Sequence, residues 1–217
     1  MIREKSKKEP KNQIKYSISL IEEQTLAKKA IEERPVTFIH GQAGSGKTLV
    51  AVITALDLIF RGKVDKIVMT RPTVGTEDNG FLPGSFHEKL EPWLVPLRDN
   101  LRKVYNFPEK LRKMEEQEQI EIVALTHFRG RTFDNAICII DEYQNLTAEQ
   151  LSMAIGRLGK DSYLVFCGDT DQIDLRDKKK SAVLRAEKLK NSQFVTVCDL
   201  IENHRHPAVK ELLDLLK

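Results

Sequence analysis

The sequence predicts an α/β domain in which a mostly parallel β-sheet carries helices on both faces. Short apolar runs rich in valine and isoleucine alternate with helical patterns along the 217 residues, as in sheets that are covered on both sides. The chain is long enough for one sizeable core and too short for a second domain of equal size. The runs predicted as strands are residues 36–40, 66–70, 120–125, 136–141, 163–168 and 194–198.

A glycine-rich segment directly after the first predicted strand supports the same fold class. Residues 41–48 match the pattern G-x-x-x-x-G-K-[ST] at every fixed position. Glycines let main-chain N–H groups converge on an anion, and the helix that follows points its N-terminus at the same place. A chance glycine-rich turn is the alternative, but the flanking strand and apolar helix argue against it. The residues predicted to contact a nucleotide are Gly41, Gln42, Ala43, Gly44, Ser45, Gly46, Lys47 and Thr48.

Within this phosphate loop two side chains have distinct predicted roles. Lys47 supplies a positive charge for the β- and γ-phosphates, and the Thr48 hydroxyl is a ligand for Mg²⁺. The sequence therefore predicts that a nucleoside triphosphate and Mg²⁺ bind together.

Capping and breaker residues define several predicted helices. Residues 21–31 form a short helix that ends near Pro35. Thr147 followed three residues later by Gln150 predicts a capping box at the start of another helix. Pro207 is placed at the first position of a last helix.

The stretch from residue 72 to residue 119 interrupts the alternation of strands and helices. Its first part is rich in glycine and proline, and its second part has a helical pattern that includes Trp93 and Leu97. We therefore predict a loop-and-helix insertion, with Pro92 and Pro96 each able to bend the helix. Long insertions in compact domains are usually functional.

Two carboxylates end the apolar strand at residues 136–141. In a P-loop fold we expect this strand to lie beside the P-loop strand and to present Asp141 to the Mg²⁺ shell. Glu142 is then the candidate general base that orients the attacking water. A strand end capped by two solvated acids is the alternative, which the upstream phosphate loop makes less favourable.

Other polar residues follow the remaining strands. Gln172 comes after the strand at 163–168, at the edge where parallel sheets bind ligands, and is predicted to sense the γ-phosphate. A cation that stabilises the transferring phosphoryl group is also expected. Arg205 is the first candidate, and the alternatives are Arg71, Arg129 and Arg131.

Net charge gives no sign of an obligatory polyanionic partner, and cysteine spacing and hydropathy argue against a disulfide-bonded or membrane protein. The net charge of +3 does not demand a polyanionic partner, and acidic residues are interspersed through two of the three basic clusters. The three clusters lie at residues 5–11, 98–113 and 178–190, and a solvated surface is the explanation that charge alone favours for each of them. Three isolated cysteines in apolar runs predict buried, reduced thiols. We find no signal segment and no apolar run of spanning length, and so expect a cytoplasmic protein without membrane contact.

Taken together, these motifs resemble the PhoH-like family of phosphate-starvation-inducible ATP-binding proteins. The core of that family is a RecA-like P-loop domain similar to those of superfamily 1 helicases. The resemblance covers residues 20–210, so residues 17–217 are predicted to form the RecA-type ATPase domain and residues 1–16 a charged, flexible leader. The matching segments are residues 41–48, 70–72, 80–84, 91–93, 129–132, 141–142, 144–145, 168–169, 172–174 and 205–207.

The resemblance implies ATP binding and hydrolysis, with Gln24 placed like the adenine-reading glutamine of helicases. It also implies contact with RNA or single-stranded DNA near residues 70–84 and 129–132. One departure is Tyr143, which replaces a small residue after Asp-Glu; another is Arg176, which stands where proline is common. Neither departure removes a catalytic group.

Two functional hypotheses follow from the resemblance. The first is an ATPase that remodels or translocates on nucleic acid as a homo-oligomer such as a hexameric ring, in which a neighbouring subunit completes the site. The second is a nucleotide-dependent switch or binding module with a protein partner and no processive motion. A small-molecule kinase fits less well, because the two carboxylates suit activation of water.

Overall fold

The structure is a computed structural model that describes residues 18–73 and 86–202, together with residues 208, 212 and 215; for residues 86–91 it gives the backbone. The predicted last helix at Pro207, the leader at 1–16 and Arg205 lie outside the described residues. The described helices are α1 (Glu22–Glu33), α2 (Lys47–Phe60), α3 (Phe86–Val104), α4 (Pro108–Glu116), α5 (Ala148–Ile155) and α6 (Val183–Leu189). The strands are β1 (Val36–Gly41), β2 (Lys66–Thr70), β3 (Ile120–Ile122), β4 (Ala136–Asp141), β5 (Tyr163–Gly168) and β6 (Val195–Leu200).

All six strands form one parallel sheet in the order β3-β2-β4-β5-β1-β6. This order confirms the α/β class and corrects one expectation, because β5 lies between the P-loop strand β1 and the Asp-Glu strand β4. In the register, His40 on β1 pairs with Gly168, and Asp141 on β4 pairs with Cys167. The carboxyl end of β5 is therefore flanked on both sides by strands that end in predicted site residues.

Helices cover both faces of this sheet. Buried side chains of α1 to α4, among them Ile31, Leu56 and Leu97, form one core on the first face. On the second face α5 and α6 bury Leu151 and Ala186 in a separate core. The prediction of helices on both faces is confirmed.

The capping box at the start of α5 is present as predicted. The Thr147 hydroxyl accepts a hydrogen bond from the Gln150 N–H at 3.3 Å, and the Gln150 amide oxygen accepts one from the Thr147 N–H at 2.9 Å. These bonds satisfy donors that a helix start otherwise leaves unpaired.

The predicted strand boundaries need two corrections. The strand expected at 120–125 ends at Ile122, because Leu125–Phe128 forms a 3-10 turn whose first and last side chains are buried on the second face. The last strand runs to Leu200 rather than to residue 198.

The part of the insertion after β2 that the structure describes contains two helices, where one was predicted. Helix α3 continues through both Pro92 and Pro96, although each proline removes one main-chain donor. Helix α4 then packs Leu111 and Met114 into the first core. Among the helices that the structure describes, none is both long and apolar enough to span a lipid bilayer.

All three cysteines are free thiols, and the predicted burial is confirmed for Cys138 and Cys167 but wrong for Cys198. Cys138 and Cys167 are buried in the central strands β4 and β5, and Cys198 is half-buried in β6. Burial raises the pKa of each thiol above its usual value.

Candidate nucleotide site

The phosphate loop connects β1 to α2 at the carboxyl edge of the sheet. Gly46 has a φ of +90°, a conformation that side chains other than glycine rarely adopt. A Cβ on Gly41 would lie 2.5 Å from the Leu200 carbonyl oxygen, so only glycine fits against β6 at this point. The shape of the loop therefore depends on the glycines that the motif specifies.

Lys47 begins helix α2 and folds back over this loop. Its ammonium donates hydrogen bonds to the carbonyl oxygens of Gly41 at 2.6 Å and Gln42 at 3.0 Å. In the part of the chain that the structure describes, no carboxylate lies within ion-pair distance of it. A nearly buried cation without a carboxylate partner is suited to an anionic ligand.

Ser45 belongs to the phosphate loop, and the Gln24 side chain of α1 contacts it. The Ser45 hydroxyl is buried and has no hydrogen-bond partner among the described residues. The Gln24 amide donates to the Ser45 carbonyl oxygen at 3.0 Å and its oxygen accepts from the Ile21 N–H at 3.3 Å. The glycine-shaped cradle fits a bound phosphate, since the main-chain N–H groups of such a loop converge on an anion.

Thr48 and Asp141 lie face to face beside the loop. The Thr48 hydroxyl donates a hydrogen bond of 2.6 Å to the Asp141 carboxylate. Burial raises the pKa of Asp141; the Thr48 bond opposes this rise and neighbouring Glu142 adds to it. Both groups are oxygen ligands of the type that Mg²⁺ prefers, and Mg²⁺ sites of this kind are completed by phosphate oxygens and water. These residues therefore fit a Mg²⁺ ion that arrives with a nucleotide.

Glu142 follows with a left-handed backbone at φ +54°. Positive φ is uncommon outside glycine and costs conformational energy, so the surrounding contacts must hold it in place. Gln144 donates a hydrogen bond of 2.6 Å to the Glu142 carboxylate. On its other oxygen, Glu142 faces the Arg71 guanidinium at 3.5 Å. The carboxylate is thus oriented by an amide and a cation.

The loop after β5 is tied to the same segment. The Gln144 amide also donates to the Gln172 carbonyl oxygen at 3.0 Å and accepts from the Asp169 N–H at 3.2 Å. Asn145 exchanges two hydrogen bonds with Asp174, at 3.1 and 2.8 Å. Residues 144–145 therefore fix the position of residues 169–174 relative to Glu142.

Tyr143 turns into the second core instead of the groove. Its ring is fully buried, and its hydroxyl lies 2.6 Å from the Nε2 atom of His40. The other ring nitrogen of His40 faces Asp199 on β6 at 3.4 Å. The unusual tyrosine after Asp-Glu is thus part of the support under the site.

These groups surround a groove of about 680 Å³. The loop residues Ala43, Gly44, Gly46, Lys47 and Thr48 line it, together with Gln24, Arg71, Asp141 and Glu142. Helix α3 contributes Pro96, Asn100 and Lys103 on the opposite wall. The groove has the size of a pocket for one small ligand.

The comparisons with known proteins agree with this geometry. The model of the PhoH-like protein family matches residues 18–217. The chain belongs to the PhoH-like family. A PhoH-like protein of Synechocystis is 40% identical over 192 residues, covering 86% of this chain and 58% of the relative. One from Bacillus subtilis is 40% identical over 189 residues, covering 85% and 59%.

Another relative is the protein PhoH of Escherichia coli K12, which is 40% identical over 150 residues, or 68% of this chain and 42% of that protein. This PhoH-like chain thus spans about half the length of the curated relatives it matches.

Solved structures show the same fold at low sequence identity. The large terminase of a thermophilic bacteriophage superposes with a TM-score of 0.58 and 9% identity, over 90% of this chain and 50% of the terminase. The UvsW helicase of bacteriophage T4 gives a TM-score of 0.53 and 15% identity, over 84% and 60%. Both support the assignment of a RecA-like P-loop fold.

The structure of this PhoH-like chain brings together most of the predicted site residues. Gln24, Lys47, Thr48, Asp141 and Glu142 all meet at one groove. Gln42 and Ser45 belong to the same loop, where the Gln42 carbonyl accepts from Lys47. Gln172 is exposed, and its described contacts are main-chain ones, so the role predicted for its side chain stays a prediction.

The arginines considered as the cation for the transferring phosphoryl group lie in different parts of the structure. Arg71 lines the groove beside Glu142. Arg131 instead pairs with Glu121 at 2.8 Å and lies over the Phe133 ring, and Arg129 is exposed. Arg205, the first candidate, lies outside the described residues.

Sequence reasoning assigned no role to Gln144, Asn100 or Lys103. Gln144 was noted only as part of the family pattern, and its position two residues after Glu142 was the available signal. Lys103 belongs to the basic cluster at residues 98–113, for which charge favours a solvated surface, and in the structure it lines the groove together with Pro96 and Asn100 of α3.

Proposed function

We propose that the chain is a Mg²⁺-dependent ATPase that acts on RNA or single-stranded DNA in oligomeric form. The observation that carries this proposal is the 2.6 Å hydrogen bond between Thr48 and Asp141 beside the phosphate loop. P-loop NTPases hold Mg²⁺ with a loop hydroxyl and an aspartate at the end of a neighbouring strand. Glu142, the next residue, adds the carboxylate that hydrolysis needs.

The roles of the chain's own residues follow from their contacts. With a nucleotide bound, Lys47 would exchange its two carbonyl partners for phosphate oxygens, and Thr48 and Asp141 would hold Mg²⁺. Bound Mg²⁺ neutralises charge on the phosphates when it is present. Glu142 orients a water molecule and accepts its proton. Arg71, 3.5 Å from Glu142, is placed to balance negative charge that develops during transfer.

Family membership and surface chemistry support the nucleic-acid part of the proposal. Arg71 follows β2 in the segment that resembles a strand-contacting motif of helicases, and it also touches Glu142. A nucleic-acid contact at residues 70–73 would thus be felt directly at the proposed base. The proposed ring would let Arg205 of one subunit complete the site of its neighbour, as arginine fingers do.

The experiment measures ATP turnover with Mg²⁺, in the presence and absence of RNA and of single-stranded DNA, on material whose mass in solution is known. Glu142→Gln is expected to lower kcat by about 10²- to 10⁴-fold while ATP still binds, because the amide cannot accept the proton. Glu115→Gln, an exposed carboxylate on α4, is the matched control and should leave turnover unchanged.

Two outcomes would contradict the proposal. Wild-type turnover in Glu142→Gln would show that another group activates the water. ATP binding without turnover, insensitive to both nucleic acids, would favour the nucleotide-dependent switch with a protein partner.

A further inference from the structure

A second groove, of about 890 Å³, lies on the face of the sheet that α5 and α6 cover. We define the basic groove by four cations that line it: Lys179 and Lys180 from the 3-10 turn at Lys178–Lys180, and Arg185 and Lys188 from α6. We propose that this basic groove binds the sugar-phosphate backbone of a single nucleic-acid strand.

Among the described residues, carboxylates balance only part of the positive charge of the basic groove, chiefly through Glu149, which faces Arg185 and Lys180. All four cations are exposed, and within the described ranges 18–73 and 86–202 no carboxylate forms an ion pair with any of them. Glu149 is the one acidic residue in its lining. Four exposed cations that line one groove create a positive potential that attracts an anionic ligand.

The other basic clusters of the described chain behave differently. Arg112 on α4 pairs with Glu109 and Glu116, both at 3.3 Å. Arg131 pairs with Glu121 at 2.8 Å. Those cations have a structural explanation, and the cations of the basic groove lack one.

An exposed apolar side chain lies among these cations. Leu184 is 63% exposed, lines the groove, and stands one helical turn before Lys188 on the same face of α6. Cations with an apolar contact suit a single strand, whose phosphates need charge while its sugars and unpaired bases offer apolar faces. Lysine contacts to phosphate carry no base specificity, so the site is expected to be indifferent to sequence.

The wall of the basic groove is bonded to the ATP site. Ser181 directly follows the 3-10 turn, is buried, and donates a hydrogen bond of 2.6 Å to the Gln144 carbonyl oxygen. The Gln144 side chain donates in turn to the Glu142 carboxylate at 2.6 Å. A strand that pulls on Lys179 and Lys180 therefore acts on the residue that holds the proposed base.

This assignment rests on the proposed function, because it names where the nucleic acid of that ATPase lies. It is distinct from the segment 70–84 and the residues 129–132 to which the resemblance points. If one bound strand contacted both the basic groove and the segment 70–84, the two contacts together would influence the orientation of the Glu142 carboxylate.

The test uses the full chain and two double variants that each remove two positive charges. Lys179→Gln with Lys188→Gln changes the basic groove. Lys63→Gln with Lys160→Gln is the matched control. Both lysines are exposed and lie just before β2 and β5, at the amino ends of the strands, whereas the residues of the basic groove follow the strands. Thermal unfolding of both variants checks that the fold is intact.

Binding is measured by fluorescence anisotropy with a labelled RNA of about 16 nucleotides and the matching DNA, the upper end of single-site sizes, over a range of salt. The salt slope is the slope of log K for binding against the logarithm of the salt concentration, and each lost phosphate contact reduces its magnitude by about 0.7 for a single strand. The groove variant loses two contacts, so the magnitude of its slope should be smaller by about 1.4. At 0.1 M salt that difference corresponds to about 25-fold weaker binding, if affinities converge at 1 M. The control variant should keep the wild-type slope.

Equal slopes for the two double variants would overturn the assignment of the groove while leaving the proposed function intact. Wild-type protein that hydrolyses ATP but binds neither oligonucleotide would overturn the nucleic-acid part of the proposed function itself. Poly-glutamate is the third probe. If wild type binds it through Lys179 and Lys188 but binds neither oligonucleotide, the occupant is an acidic protein segment and our assignment is wrong.

Discussion

Replacing Gln144 by methionine tests whether an oriented Glu142 is needed for hydrolysis. Methionine has similar length and volume but cannot hydrogen bond like an amide. The change removes the donations to Glu142 at 2.6 Å and to the Gln172 carbonyl at 3.0 Å, and the acceptance from the Asp169 N–H at 3.2 Å.

The cost in stability follows from which partners can reach water. Glu142 is 31% exposed and Gln172 is exposed, so water replaces their lost partner. The Asp169 N–H is buried, and leaving one such donor unpaired costs about 1–3 kcal/mol. For a chain of this length each kcal/mol lowers Tm by about 2–4 °C, which gives a total loss of about 2–12 °C. The variant should therefore fold.

The kinetic effect should fall on kcat rather than on KM. Gln144 does not line the nucleotide groove, so ATP affinity has no reason to change. A carboxylate displaced by about 1 Å costs on the order of 10²-fold in rate, so kcat should fall toward that value. Steady-state turnover over a range of ATP concentrations separates the two parameters, and Gln117→Met, at an exposed position after α4, is the control.

A Gln144→Met protein with wild-type kcat and a lowered Tm would refute the reasoning, since Gln144 would then be only a structural clamp for the loop after β5. A rise in KM without loss of kcat would place the effect on nucleotide binding instead.

Three further substitutions test separate parts of the site. Lys47→Ala is expected to abolish turnover and weaken ATP binding in calorimetry while Tm stays near wild type, because the ammonium bonds loop carbonyls rather than core groups; wild-type affinity and turnover would remove the phosphate-loop assignment. Arg71→Gln should lower kcat through loss of the charge beside Glu142, and unchanged single-turnover rates would argue against that role. Burial lowers the pKa of His40 below 6.5, against the opposing effect of Asp199, so the unfolded chain takes up this proton at higher pH than the folded one. The free energy of unfolding should consequently fall as pH drops below about 6.5, and His40→Gln should flatten that part of a urea-derived stability profile; an identical profile would show that other groups dominate.

Local patterns in the sequence were sufficient for most of the fold. Short valine- and isoleucine-rich runs predicted six strands, and Thr147 with Gln150 predicted the start of α5. The order of the strands was not available in the same way, because no periodicity records which strand is a neighbour of which. The position of β5 between β1 and β4 therefore had to come from the structure.

Two other differences have physical causes. Leu125 and Phe128 are apolar like strand residues, but their spacing of three suits the 3-10 turn that buries both. Helix α4 is highly charged and buries only Leu111 and Met114, so its apolar signal is weak in the sequence.

The residues of the candidate site were likewise predictable from the sequence only in part. The loop residues, Asp141 and Glu142 follow from motifs in which spacing along the chain fixes chemistry. The partners of Glu142 do not, because Arg71 reaches it from another strand and Gln144 from a left-handed turn at Glu142 itself. Tertiary contacts of this kind carry no short sequence pattern.

The three cysteines differ in burial, so the rates at which they react with a thiol reagent would show which part of the sheet opens first. Cys138 and Cys167 lie on the two central strands, whereas Cys198 is half-buried on β6, which in the described part of the chain is an edge strand paired with β1. The thiolate is the nucleophile that attacks a thiol reagent, so the buried Cys138 and Cys167, whose pKa values are raised, react only after local or global unfolding. The order in which the three cysteines become labelled would show whether the sheet opens first at β6, beside the phosphate loop, and whether bound nucleotide delays that opening.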